Sequence, residues 1–146
     1  AAMIVYGCRP SEALSLIPNR NGTASCLSIK QKKGLPDRRT AMALPKGYEE
    51  KLDLYNISRS VEFLEPEDFD PIEAKSFTNR WGKWLKRQSS DLQLYDLRHS
   101  WAKRSIREGV PSGLAAKALG HSISVFEETY LSTMDEIDIA SFVSKM

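Results

Sequence analysis

The chain has 146 residues, 41% of them hydrophobic, and a formal net charge of only +2. This length suits one domain with a hydrophobic core, and no stretch is long and apolar enough to predict a membrane span. Two histidines and two distant cysteines, Cys8 and Cys26, do not form a zinc-binding pattern. We therefore expect a single domain at residues 1–146, with reduced thiols in the cytoplasm and neither metal nor other cofactor.

The sequence predicts a mainly α fold with a small antiparallel β-sheet, an α+β class. Residues 1–6 have the pattern of a helix end, which Gly7 stops. Two short strands, at 26–31 and 40–44, flank a polar hairpin loop at 32–37. The remaining helices follow from apolar residues at helical spacing and from glycine or proline near the boundaries. These helices are predicted at 48–55, 71–87, 96–108, 114–119, 124–131 and 135–143.

Basic and acidic side chains lie in different parts of the chain. Lysine and arginine are concentrated at 30–39 and 80–107, whereas aspartate and glutamate are concentrated at 62–70 and 127–138. Segregation of this kind is typical of a protein that turns a positive face towards a polyanion. Ordinary solvated helix faces explain the charge pattern equally well, so charge alone does not decide.

The stretch from Tyr95 to Tyr130 carries the residue types that a metal-free attack on a phosphodiester requires. Arg98 offers a planar fork of donors for two phosphate oxygens. His121 follows a glycine at a predicted helix start, where a neutral imidazole can donate to phosphate or relay a proton. Tyr130, nine residues later, offers a hydroxyl nucleophile. In isolation, the histidine would more often be a cap or a core residue, and the tyrosine a half-buried helix residue.

Four motifs, in this order, resemble those of the tyrosine recombinases, a family that includes phage integrases and chromosome-dimer resolvases. They are a glycine turn followed by Arg-x-x-Glu, an Arg-centred box, a Leu-Gly-His-Ser turn and a final tyrosine. In this chain they read GCRPSE at 7–12, YDLR at 95–98, LGHS at 119–122 and ETY at 128–130. One such motif is weak evidence, whereas four in the right order across nearly the whole chain are specific.

The resemblance implies that family's catalytic-domain fold, and cleavage and rejoining of DNA strands through a 3′-phosphotyrosine without metal or ATP. Arg9 and Arg98 would hold the phosphate oxygens, His121 would contact the phosphate and Tyr130 would attack phosphorus. Outside this context, Arg9 would be interpreted as half of a surface salt bridge with Glu12. The resemblance also implies that the rest of the first helix and an N-terminal DNA-clamping domain lie outside this chain.

The resemblance further implies a hairpin lysine that protonates the departing 5′ oxygen. We assign this role to Lys33 because it immediately precedes the turn glycine, Gly34. The adjacent Lys32 is the alternative, and Lys30 is less favoured because it falls within a predicted strand. For all three lysines the competing interpretation is nonspecific attraction to phosphate.

Tyr95 is the main departure from the family pattern, which most often has histidine three residues before the second arginine. A phenol donates a hydrogen bond to phosphate but accepts a proton poorly at neutral pH. Either His121 then takes on more of the activation of Tyr130, or the enzyme is slow. His99 directly follows Arg98 and would point about 100° away from it on a helix. It is therefore assigned to packing or helix support rather than to catalysis.

Duplex DNA is the expected partner, which suggests a cytoplasmic, nucleoid-associated protein with no membrane attachment. The expected DNA-binding residues are Lys32, Lys86, Arg87 and Lys103. The resemblance implies a tetrameric synapse on DNA in which the last helix docks on a neighbouring protomer, although docking on its own domain is equally compatible with the sequence. Two other functions stay open: a catalytically impaired, recombinase-like DNA-binding module, which Tyr95 favours, and a relaxing topoisomerase with the same chemistry.

Overall fold

The computed structural model describes residues 1–29, 34–60, 65–88 and 91–146, and within these ranges the chain forms seven α-helices and one three-stranded sheet. The predicted α+β class, mainly helical with a small antiparallel sheet, is therefore confirmed. The helices are α1 (Ala2–Tyr6), α2 (Tyr48–Lys51), α3 (Pro71–Gln88), α4 (Leu94–Arg107), α5 (Ser112–Leu119), α6 (Ile123–Tyr130) and α7 (Glu136–Val143). Short 3-10 helices lie at Glu12–Ser15, Leu54–Ser60, Pro66–Asp68 and Leu131–Thr133.

The sheet has the antiparallel order β1 (Ile17–Pro18), β2 (Thr23–Ser28) and β3 (Asp37–Met42). The predicted hairpin is thus present, but both of its strands begin and end about three residues before their predicted positions. The register pairs Thr23 with Met42 and Ser28 with Asp37. The β1 strand is an addition, because its two residues are too few to give a period in the sequence. The predicted helix at 48–55 is shorter than expected and gives way to the 3-10 helix at Leu54–Ser60.

The core lies between α1, the sheet and helices α4 to α6. Trp101 on α4 is fully buried and its indole N–H donates to the Met42 carbonyl at 3.1 Å, which ties the helix to the last strand. Leu119 and Phe126, from α5 and α6, pack in the same cluster. Both cysteines are free and buried, and burial raises the pKa of each thiol, that of Cys26 to about 11.

Helix α3 matches its predicted range but buries less of its apolar stripe than an amphipathic helix normally does. Ala74 is buried, whereas Trp81 and Trp84 are 44% and 47% exposed. These two indoles pack edge to face with ring centroids 5.3 Å apart. On α7, Ile139 and Val143 are exposed, and the side chains of Ile137 and Phe142 lie outside the described part.

Candidate active site

Arg98 occupies a core-facing position of α4. The buried residues of this helix are Arg98, Trp101, Ala102 and Ser105, which is the spacing of a single helical face. The guanidinium therefore enters the interior at a position where an apolar side chain would be expected, and Arg98 is only 1% exposed. A buried cation of this kind requires hydrogen-bonding partners, and the loops that surround it supply them.

The guanidinium of Arg98 joins the first and third sequence motifs. Its Nη1 donates to the carbonyl of Gly7 at 2.7 Å, and its Nη2 donates to the carbonyl of Leu119 at 2.6 Å. The same Nη2 lies 3.0 Å from Nε2 of His121. Because a guanidinium can only donate, Nε2 of His121 is the acceptor. At least three of the five N–H donors of Arg98 are thus used to fix its position within the protein.

Glycines at the ends of two helices allow the close packing around Arg98. Gly7 (φ +64°) ends α1, and a Cβ added there would lie 2.7–2.8 Å from atoms of Leu119 and Trp101. Gly120 (φ +68°) ends α5, and a Cβ added there would lie 3.0 Å from Arg39. Both glycines supply the left-handed conformation and the absent side chain that close packing requires.

Glu12 is the anionic centre of the site and is fully buried. Its carboxylate accepts from Nη1 of Arg9 at 2.7 Å, from the Arg9 backbone N–H at 2.8 Å and from Nη2 of Arg39 at 2.6 Å. Nη1 of Arg98 lies 3.8 Å away. Burial by itself would raise the pKa of this carboxyl, but Arg39 and Arg9 outweigh burial and hold the pKa below its usual value. Three guanidiniums thus surround one carboxylate, which leaves a surplus of positive charge.

Arg39 belongs to the site although sequence analysis placed it only in a basic cluster. It lies on β3 opposite Cys26, and besides Glu12 it donates to the carbonyl of Ala118 at the end of α5. Its guanidinium is buried, and its ion pair with Glu12 helps to keep its pKa above the usual value despite that burial. Alternation along a strand indicates that Arg38 and Arg39 point to opposite faces, but only the tertiary fold shows which face meets Glu12.

His121 is held as a neutral imidazole. Burial lowers its pKa to about 4, and the positive charges of Arg98, Arg9 and Arg39 act in the same direction. Since Nε2 accepts from Arg98, the ring proton of the neutral form lies on Nδ1. This Nδ1 is buried and has no hydrogen-bond partner among the described residues. The N–H of Nδ1 is therefore the group that this imidazole can offer to an anion.

Tyr130 lies on the buried face of α6, four residues after Phe126. Its ring stacks on that of His121, with centroids 6.3 Å apart and planes 13° apart, and it is only 3% exposed. Burial raises the pKa of the phenol, while the charges of Arg98 and Arg9 and a hydrogen bond from Arg98 offset part of this rise. The hydroxyl that was expected to act as nucleophile is therefore next to the arginine cluster.

Tyr95 and His99 lie on the flank of α4 beside Tyr130. Tyr95 is 48% exposed, and its ring centroid lies 6.4 Å from that of His99. The ring of His99 in turn lies 5.6 Å from that of Tyr130. His99 does diverge from Arg98 on the helix, as predicted, but α6 packs against that flank and brings Tyr130 to it.

The structure brings together four of the six residues that were expected to be catalytic, Arg9, Arg98, His121 and Tyr130, and places Tyr95 at their edge. The assigned hairpin lysine, Lys33, and its alternative, Lys32, lie outside the described residues. The expected DNA-binding residues Lys86, Arg87 and Lys103 are exposed on α3 and α4.

Neither a metal-binding cluster nor a membrane-spanning helix is present in the described ranges. No group of three or more His, Cys, Asp or Glu side chains in these ranges is arranged to hold a metal ion. In the same ranges, no helix combines the length and apolarity that crossing a membrane requires.

Two excisases are similar in sequence to this chain. No family model matches the chain. Excisase A from Nostoc sp. strain PCC 7120 is 31% identical over 138 residues, which covers 88% of this chain and 29% of that protein. Excisase C from the same organism is 38% identical over 48 residues, or 33% of this chain and 10% of that protein. The chain thus spans less than a third of the length of the curated relatives that it matches.

Solved structures share the fold. The crystal structure of XerA recombinase superimposes with a TM-score of 0.60 at 13% identity, covering 99% of this chain and 54% of that one. The post-cleavage complex of XerH site-specific recombinase bound to its palindromic difH substrate has a TM-score of 0.50 at 21% identity, covering 99% of this chain and 44% of that one. At these identities the likeness establishes the fold.

Proposed function

Because the chain is related to the tyrosine recombinases, we propose that it is the catalytic domain of a site-specific DNA recombinase. It cleaves and rejoins DNA strands through a covalent 3′-phosphotyrosine at Tyr130. Energy from the broken diester is kept in the phosphotyrosine bond, so that a 5′ hydroxyl can reverse the step without ATP. The excisase relatives and the DNA-bound recombinase of the same fold support this class of reaction and duplex DNA as the substrate.

The observation that carries the proposal is the position of Tyr130 beside a surplus of positive charge. Arg9, Arg39 and Arg98 approach a single carboxylate, Glu12. Tyr130 is near enough for Arg98 and Arg9 to offset part of the rise in its pKa. A scissile phosphate bound there would have its non-bridging oxygens neutralised by guanidinium groups where charge accumulates in the transition state.

Each residue then has a defined part in strand cleavage. Arg9 and the free donors of Arg98 hold two non-bridging oxygens, and the Nδ1–H of His121 is available to the phosphate. Tyr130 attacks phosphorus, and the 5′ oxygen leaves with a proton from a hairpin lysine, for which Lys33 is our candidate. Because Tyr130 is almost fully buried in this structure, DNA binding must uncover its hydroxyl.

The test is trapping of the covalent intermediate. A pool of nicked duplexes with random sequence around the nick is incubated with the protein and analysed on a denaturing gel. Loss of the short fragment past the nick makes cleavage irreversible, so a protein–DNA adduct accumulates for the wild type. The Tyr130→Phe variant should form no adduct while it binds duplex as the wild type does, because a single hydroxyl has been removed.

Three outcomes would contradict the proposal. Duplex binding without any adduct from the wild type would identify a DNA-binding module that does not turn over. Adduct formation by Tyr130→Phe would assign the nucleophile to another residue. Cleavage of supercoiled DNA by single protomers without site preference would instead indicate a relaxing topoisomerase.

A further inference from the structure

His99 lies between two tyrosines at the edge of the arginine cluster. It follows Tyr95 by four residues on α4, so the two side chains share a helix face, and their ring centroids are 6.4 Å apart. Tyr130 faces His99 from α6, with centroids 5.6 Å apart and planes inclined at 58°. The imidazole of His99 is partly exposed. The ring of His99 is therefore a direct neighbour of the Tyr130 ring and is also accessible to solvent.

Tyr130 requires a proton acceptor to become a nucleophile. Burial raises the pKa of its hydroxyl, and the cations Arg98 and Arg9 offset only part of this effect. At neutral pH the phenol is consequently protonated and weakly nucleophilic. Efficient attack on phosphorus therefore depends on a base that accepts the proton as the new bond forms.

The other polar groups around Tyr130 are poor acceptors. Nε2 of His121 already accepts from Arg98, and burial, together with the neighbouring guanidiniums, lowers the pKa of this ring to about 4. Glu12 is occupied by Arg9 and Arg39. Tyr95 carries a phenol, which donates readily but accepts poorly at neutral pH.

We propose that His99 is a further catalytic residue, the general base that removes the proton from Tyr130 during strand cleavage. This inference rests on the proposed function. The O–H bond of Tyr130 breaks and its proton passes to an imidazole nitrogen of His99, while the phenolic oxygen forms the bond to phosphorus. The bond from phosphorus to the 5′ oxygen breaks, and that oxygen keeps the electron pair and takes a proton from the hairpin lysine. In rejoining, the imidazolium of His99 returns its proton to Tyr130.

The charged surroundings of His99 are compatible with this role. On α4, Asp96 and Lys103 lie one turn away on either side, and Arg98 is its direct neighbour. From α6 the facing group is Tyr130. From α3, Lys83 and Lys86 line an open cavity together with Tyr95. Helix α7 also contacts α4, and just beyond the ends of these two helices Lys145 pairs with Glu108.

The experiment measures single-turnover adduct formation on a nicked duplex that the wild type has selected from the random pool. For His99→Gln we expect a 10²- to 10⁴-fold lower rate, the usual effect of losing a general base. The rise of the wild-type rate with pH that a general base produces should be missing in His99→Gln. Added imidazole should restore the rate of His99→Ala, because it supplies the missing base in solution.

Controls separate this role from a structural one. Thermal unfolding and duplex binding of His99→Gln should match the wild type, and Tyr95→Phe should keep the pH-dependent rise. A folded His99→Gln protein that forms adduct within about threefold of the wild-type rate would overturn the inference and leave the proposed function intact. The inference would also be overturned if Tyr95→Phe or His121→Gln, rather than His99→Gln, lost the rise of the rate with pH. It would be overturned as well if imidazole failed to rescue a folded His99→Ala. Absence of adduct from the wild type would instead remove the proposed function, and this inference with it.

Discussion

Glu12 decides whether three arginines can share one small volume. Without its carboxylate, Arg9, Arg39 and Arg98 would repel one another in a region from which water is largely excluded. The carboxylate offsets part of this repulsion and fixes two guanidiniums by direct hydrogen bonds. Its function in the site is therefore structural as well as electrostatic, because the orientation of Arg9 depends on it.

We predict that Glu12→Gln lowers the free energy of unfolding by about 3 kcal/mol, the usual cost of breaking a buried ion pair. The matched control is Glu108→Gln, which removes the carboxylate of the exposed pair with Lys145 and should cost less than about 1 kcal/mol. Urea denaturation at neutral pH measures both. Equal losses for the two variants would show that the buried carboxylate does not hold the cluster together.

The local motifs made most of this cluster predictable. Arg98, His121 and Tyr130 follow from residue type and spacing, because each lies in a short segment whose chemistry is visible in the sequence. The contribution of Arg39 was not predictable, since its contact with Glu12 joins residues 27 apart across two different elements. The neighbourhood of His99 was missed for a similar reason. Helical geometry gives its direction on α4, but not the fact that α6 covers that side.

The ends of α1 and α5 position the Arg98 guanidinium in the site. Each helix ends in a left-handed glycine, Gly7 and Gly120, and the turn beside each glycine presents a carbonyl oxygen to Arg98. The helix ends were predictable from these glycines. The strand ends were less so, because β2 starts at Thr23, which forms hydrogen bonds with the side chains of Asn19 and Asn21 in the preceding turn. The alternation of apolar and polar residues alone does not reveal such a turn.

At this scale we predict a large difference between two glycine substitutions. Gly7→Ala must adopt φ near +64° and also place a Cβ 2.7–2.8 Å from Leu119 and Trp101. Gly47→Ala meets the same backbone cost at φ +89°, with no heavy atom within 4 Å of the added Cβ. Gly47→Ala should therefore cost about 1 kcal/mol of unfolding free energy, and Gly7→Ala a further 1–3 kcal/mol, about what overpacking costs.

Chemical denaturation compares these two variants, and adduct formation by Gly7→Ala should fall as well because the carbonyl that holds Arg98 shifts. Similar stability losses in both proteins would mean that the neighbours of Gly7 yield without cost. In that case the close contact with Trp101 would not be what restricts this position to glycine.

At the scale of the whole molecule, the packing of elements against one another decides which apolar faces are covered and which basic side chains lie near the site. Helical periodicity alone does not decide either. The apolar residues of helix α3 share one side of the helix, yet Trp81 and Trp84 are nearly half exposed, whereas Ala74 is buried and Phe77 packs beside it against the core. Periodicity identifies which residues share a face, but the packing of other elements determines whether that face is covered.

The basic residues at the end of the same helix lie closer to the candidate site, where Lys83 and Lys86 line a cavity with Tyr95.

This placement predicts that Lys86 contacts a DNA phosphate near the site. Binding of a mixed-sequence duplex is best measured by fluorescence anisotropy between roughly 50 and 200 mM salt, in the Tyr130→Phe background so that no covalent adduct forms. Lys86→Gln should weaken binding and make the slope of log affinity against log salt shallower by about 0.9, the value for one phosphate contact. Lys145→Gln, which removes an exposed lysine already paired with Glu108, should leave the slope unchanged. An unchanged slope in Lys86→Gln would exclude a phosphate contact at this position, and an equal change in Lys145→Gln would mean that net charge rather than position governs the binding.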